Sequence, residues 1–168
     1  MRVDLRTNYE QQNEQKSKNQ HRDSTMTRIL ALDIGEVRTG IALSDTDRSH
    51  ASALQVLDTK TLCREGKALN ELIADYEVDT LLIGLPLLED GSEGSQARRT
   101  RSLADKMLDA LSKTGNMDAL HILFYDERES SKQAKEYAWA LDLNEREMRG
   151  KLDSHAAANF LQNYLDKA

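Results

Sequence analysis

Apolar runs that stop at carboxylates constrain this chain more than any other feature. Ile29, Leu30, Ala31 and Leu32 lead into Asp33, and Leu120 through Tyr125 lead into Asp126 and Glu127. A short continuous apolar run is the pattern of a buried strand, and strands buried on both faces belong to sheets covered by helices. In open α/β sheets, sites form at the carboxyl ends of strands, so Asp33 and the Asp126–Glu127 pair are expected at such ends. A third acidic station, Asp153, opens a helix-like, Ala-rich tail. Carboxylates brought together in this way suit Mg²⁺ or Mn²⁺, and two such ions about 3.5–4 Å apart can hold both the attacking and the leaving oxygen of a phosphodiester cleavage.

Three early strands are expected: Ile29–Leu32, residues 39–44 after a turn at Gly35–Arg38, and residues 53–57. Leu62, Leu69, Leu72, Ile73 and Tyr76 then fall at helical spacing. Residues 80–85 read as a buried strand stopped by Pro86, and residues 89–95 as a loop. A helix is expected over about 96–112, the strand ending at Tyr125 follows, and further helices are expected over about 130–141 and 153–166. Hairpins followed by strand–helix alternation imply a mixed five-stranded sheet with helices on both faces, an α/β arrangement of the RNase H-like kind.

Composition narrows the possibilities. At 168 residues with 39% apolar content the chain is one domain's worth and can bury a core. Residues 1–25 are polar, with no apolar period, and read as a disordered extension ahead of a domain over 26–168. Met26 stands where that domain would start. No apolar stretch is long enough to span a bilayer and no secretory signal layout is present, so no membrane partner and a cytoplasmic protein are expected. One cysteine, Cys63, excludes an internal disulfide framework. A net charge of −6 argues against a general nucleic-acid coat, but bound cations would cancel a carboxylate cluster. Local basic groups stand at Arg38, at Arg98, Arg99 and Arg101, and at Arg128 and Lys132. With 5% aromatic residues there is no stacking platform for single strands.

Four segments in order resemble the YqgF (RuvX-like) family: Leu32-Asp33-Ile34-Gly35 through Arg38-Thr39-Gly40 to Asp45, Gly84-Leu85-Pro86 through Gly94, Asp126-Glu127-Arg128, and Asp153-Ser154-His155-Ala156-Ala157 through Leu165. The resemblance covers nearly all of residues 27–166. It implies an RNase H-like fold and a nuclease acting in 5′-end maturation of pre-16S ribosomal RNA, with a Holliday-junction-resolvase reading also attached to the family. It also implies that Asp33 is the first-strand metal aspartate, Asp126 and Glu127 the acidic pair of an Asp-Glu-Arg motif, and Asp153 the aspartate heading the last helix. After Arg128 this chain departs from the family with Glu129-Ser130-Ser131.

Each candidate has a plainer role beside the functional one. Asp33 could cap a turn, and Asp153 could be an N-cap as well as a ligand. Alternation near a strand end leaves one of Asp126 and Glu127 to coordinate and the other to pair with Arg128 or a helix end, with register slightly favouring Asp126. Gly35 lets a phosphate backbone come near the first aspartate, and Arg38 is either a phosphate contact or a solvated hairpin residue. Arg98, Arg99 and Arg101 either track phosphates near a helix N-terminus or form a solvated face. The reading is a metal-dependent endonuclease whose partner is nucleic acid: pre-rRNA by resemblance, a DNA junction as the alternative, with ribosomal particles as further partners and a monomer or homodimer as the state. A non-catalytic assembly factor on the same fold is a further alternative. Asp33-Ile34-Gly35-Glu36 also resembles the phosphate-binding turn of sugar kinases, actin and Hsp70-type ATPases, but those close two related domains over a nucleotide and this chain has one.

Overall fold

A computed structural model describes residues 27–115, 117–127 and 145–168, with side chains described in the last stretch from His155 onward. The expected extension at 1–25, the helix expected over about 130–141, and Arg128 and Lys132 lie outside the described residues.

Strands β1 (Arg28–Ile34), β2 (Arg38–Ser44) and β3 (Ala51–Asp58) form an antiparallel meander. Strands β4 (Val78–Leu85) and β5 (His121–Asp126) add beside β1 in parallel, giving the order β3-β2-β1-β4-β5. Parallel neighbours need crossovers. Helices α1 (Thr59–Glu65) and α2 (Lys67–Asp75) precede β4, and α3 (Ser95–Ser112) precedes β5. Helix α4 (Glu145–Leu165) comes last. This is the mixed five-stranded, RNase H-like sheet expected from the sequence.

The two faces of the sheet carry separate cores, sorted by the two-residue period of the strands. Leu30, Leu32 and Ile34 of β1, with Leu81, Ile83 and Ile122, pack under Leu62, Leu69, Met107 and Leu111 of α1–α3. On the other face Ile29, Ala31 and Leu82 meet Ala157, Phe160 and Leu161 of α4. The central runs Ile29–Leu32 of β1 and Leu81–Ile83 of β4 are continuously apolar because both of their faces are covered.

Strand ends differ from the expectation by one or two residues, and two helices differ by more. The single helical pattern over Leu62–Tyr76 is two helices, joined at Gly66, whose φ is 60°. A β-carbon there would lie 2.5 Å from the Ala110 carbonyl, so the break follows from the close passage of α3. The last helix begins at Glu145 rather than near Asp153. Its first turns, Glu145 through Lys151, are largely straight-chain charged residues with high helix propensity and no apolar stripe. Asp153 therefore lies within the helix, and its reading as an N-cap is overturned.

Candidate metal centre and nucleic-acid interface

The strand period decides which acidic groups face one another. On β1, Ile29 and Ala31 belong to the α4 core, and Asp33 continues that row. On β5, Leu123 and Tyr125 pack against the same core, so the row continues to Glu127, while Asp126 falls on the alternate row. On β4, Leu82 belongs to it too, and Gly84 continues the row between them. Glu127 is tied to β4 by its N–H, which donates to the Leu85 carbonyl at 3.2 Å. A β-carbon built on Gly84 would fall on the Glu127 carboxylate and lie 2.9 Å from Phe160 Cε1. Gly84 is thus the gap through which the glutamate reaches across the end of β4, next to β1.

The electrostatics follow from this placement. The Glu127 carboxyl is pushed up from 4.5 to about 8, first by burial and then by the negative charges of Asp33 and Asp126. Asp33 and Asp126 therefore both act on Glu127 at the carboxyl rim of β1, β4 and β5. Carboxylates that repel one another, one of them desolvated, have the chemistry of candidate ligands for a hard divalent cation, which would relieve that repulsion. Among the described residues no three His, Cys, Asp or Glu side chains are already drawn into a coordination group. The fourth carboxylate, Asp153, has its side chain outside the described residues; position 153 stands seven residues before the buried Phe160, two turns along α4, which puts it on the stripe of the helix that meets this face.

The basic residues expected to meet phosphates divide by environment. Gly35 donates its N–H to the Arg38 carbonyl at 3.0 Å and closes the β1–β2 turn, and a β-carbon on it would stand 2.7 Å from that oxygen. Arg38 opens β2 and is half-buried. Arg98 is exposed on α3, with Nε donating to the Gly94 carbonyl at 3.4 Å. Arg99 pairs with Glu36 at 2.8 Å. Arg101 is held on two sides: its Nε lies 2.6 Å from the Glu93 carboxylate, and its guanidinium sits 4.4 Å from the centre of the Phe124 ring. Sequence reasoning met Gly84 and Glu36 only as members of motifs and gave neither a role of its own. A glycine inside an apolar strand is a signal of close approach, whereas nothing in the sequence marks Glu36 as the partner of Arg99.

No helix among the described residues is long and apolar enough to cross a membrane. The model of the RuvX family, described as Holliday junction resolvase, matches residues 27–167. Named relatives include a "Putative pre-16S rRNA nuclease" of Anaeromyxobacter sp. (strain K), 37% identical over 83% of this chain and 97% of its own length. Another of the same name, from Syntrophomonas wolfei, is 35% identical over 83% of this chain and 94% of its own length. Among solved structures, Thermus thermophilus RuvC in complex with a Holliday junction substrate aligns with 84% of this chain and 94% of its own, at 14% identity and a TM-score of 0.49. With a family model matched along almost the whole of residues 27–167 and relatives above 30% identity over nearly their full length, the chain belongs to the RuvX family.

Proposed function

We propose that this protein is a divalent-metal-dependent endonuclease that hydrolyses phosphodiester bonds of precursor 16S ribosomal RNA in maturation of its 5′ end. Membership of a nuclease family supports hydrolysis of ester bonds, and the names of its relatives support the rRNA substrate. The observation that carries the chemistry is the buried Glu127 carboxyl reaching across the end of β4 through the gap at Gly84, where the charges of Asp33 and Asp126 act on it.

Mg²⁺ or Mn²⁺ would be held by Asp33, by Glu127 or Asp126, and by Asp153, and the chemistry supplied when such an ion is bound is activation of water and neutralisation of charge on the phosphate. The chain's own residues prepare that site. Burial, and then the charges of Asp33 and Asp126, raise the Glu127 carboxyl so that it holds its proton at neutral pH, and a bound cation would favour its ionised form by offsetting that charge. The β1–β2 turn, kept tight at Gly35, leaves backbone rather than side chain beside Asp33, where a phosphate can approach. Arg38, Arg98 and Arg99, with Arg128 and Lys132, are the proposed phosphate contacts. The reading carries with it a cytoplasmic protein, working as monomer or homodimer on RNA alone or on ribosomal particles.

A junction-resolving activity is the second reading, favoured by the matching family's description as Holliday junction resolvase. One experiment separates the two. The purified protein is incubated with a precursor 16S rRNA fragment and with a four-way DNA junction, each with Mg²⁺, Mn²⁺ or EDTA. Metal-dependent cleavage of the RNA with the junction intact is the expected result. Symmetrical nicking of the junction alone would replace the first reading by the second, and binding without cleavage in any metal would make the protein an assembly factor.

A further inference from the structure

A cavity of about 390 Å³ opens between the β1–β2 turn and the first two turns of α3, lined by Ile34, Gly35, Glu36, Ser95, Arg99 and Thr100 among others. It begins at Ile34 and Gly35, the residues that follow Asp33, and so adjoins the carboxylate site along the chain. Ile34 belongs to the α3-side core, on the face of β1 opposite to that of Asp33. The cavity is therefore a separate compartment at the same rim. A strand of nucleic acid laid over the end of β1 would pass from one to the other.

Its polar equipment is that of an anion site with an anion already on it. Arg99 supplies a guanidinium and Ser95 a hydroxyl, and Glu36 is the one carboxylate among the lining residues. The Glu36 carboxylate lies 2.8 Å from Arg99 Nη1, with the two side chains 69% and 70% exposed. An ion pair that exposed is weak. A phosphate, which can accept two parallel hydrogen bonds from guanidinium, is a competent replacement.

The backbone around Glu36 is anchored, while its side chain is exposed and paired with Arg99. Thr59 Oγ1 donates to the Gly35 carbonyl at 2.8 Å, and the Thr59 N–H donates to the Val37 carbonyl at 3.0 Å. The backbone on both sides of Glu36 is thereby anchored to the start of α1, so only the carboxylate has to swing aside. Arg101, by contrast, is locked between Glu93 and Phe124 and only 21% exposed. Arg99 is the exchangeable member of the pair.

We propose that this cavity is a subsite for a backbone phosphate of the nucleic-acid strand, and that Glu36 gates it by occupying Arg99 until the phosphate displaces it. The proposal rests on the nucleic-acid reading above and adds to it a competitor built into the turn. Removing Glu36 should then strengthen binding, and only through Arg99.

The test is a double-mutant cycle on the full chain in EDTA, with binding of a fluorescein-labelled oligoribonucleotide read without cleavage over a salt series. Glu36→Gln is expected to tighten binding about three-fold at low salt. Arg99→Gln is expected to weaken it and to lower the salt slope by about one. Glu36→Gln made on Arg99→Gln is expected to change nothing further. An equal gain in both backgrounds would reduce the effect to general charge removal and overturn the gate, as would no gain in either. Inorganic phosphate at millimolar concentration is the second arm: competition in wild type that fades in Arg99→Gln supports the subsite. If phosphate binds through Arg99 while oligonucleotide affinity ignores the cycle, the site takes small phosphates and the proposal falls. Cleavage with Mg²⁺ is read separately, so a protein that passes the cycle and cuts nothing would refute the nuclease reading and leave the gate standing.

Discussion

Gly84 and Glu127 compete for one volume: a β-carbon on Gly84 would overlap the Glu127 carboxylate and approach Phe160 Cε1 to 2.9 Å. Phe160 is fully buried in the α4 core and stacks on Tyr125, with ring centres 6.3 Å apart, so it yields less readily than the glutamate. Gly84→Ala is expected to push Glu127 away from Asp33, to lower Mn²⁺ affinity about tenfold or more, and to cost about 1–3 kcal/mol in overpacking. Adding Glu127→Asp, which shortens the side chain by one methylene, should recover part of the stability. Calorimetric Mn²⁺ titration and thermal melts decide this; an unchanged affinity in Gly84→Ala would show that Glu127 is not held through this gap.

Glu127 also sets a pH dependence whose sign is fixed by the direction of its shift. Its folded value of about 8 exceeds the ordinary 4.5, so between the two the native state binds more protons than the unfolded chain. Its contribution to stability is complete below about 4.5 and is lost as pH rises through about 8. Melting temperature in EDTA should therefore fall on going from pH 5 to pH 9, and Glu127→Gln should flatten that fall. Mg²⁺ should stabilise most at the alkaline end, because binding there releases no proton. A melting profile in EDTA with the same slope in wild type and Glu127→Gln would contradict the assignment.

What the sequence made legible was whatever depends on short-range pattern. Asp33 stands out because an apolar run stops at it, and the five strands follow from continuous apolar segments bounded by turn residues. Which of Asp126 and Glu127 continues the row that faces α4 could not be read that way. It depends on which face of β5 meets α4, and the helix residue that decides it, Phe160, is 33 positions on from Glu127. The start of α4 was equally hidden, because its first turns carry no apolar stripe. The break at Gly66 is imposed by α3, some forty residues later in the chain. Tertiary neighbours supplied the face of β5 and the break at Gly66, while the early start of α4 rests on helix propensity without an apolar stripe.

Asp33→Asn keeps the shape of the side chain and removes its charge. Cleavage should drop by more than the roughly 100-fold that loss of an outer-shell partner costs a metal site. The fold should persist, and because Asp33 is the foremost of the charges raising Glu127, the alkaline fall in metal-free stability should move to lower pH. Pairing an activity assay with the pH series of melts in EDTA tests both halves. A variant that retains most of its metal-dependent activity would remove Asp33 from the site.

Arg98, Arg99 and Arg101 read alike in sequence, yet their surroundings predict different losses. Arg101 is 21% exposed, bonded to Glu93 at 2.6 Å and set over Phe124, so it joins the loop before α3 to β5 rather than standing free for a phosphate. Arg101→Gln should lower stability by about 0.5–2 kcal/mol, through the lost ring contact and ion pair, and leave the salt slope of oligonucleotide binding unchanged. Arg98→Gln, on the exposed face of α3, should do the reverse, with the melt unmoved and the slope reduced by about one if a phosphate contact is lost. Thermal melts and a salt series on the two single variants separate these roles. A reduced slope in Arg101→Gln with an unshifted melt would return that residue to the nucleic-acid surface.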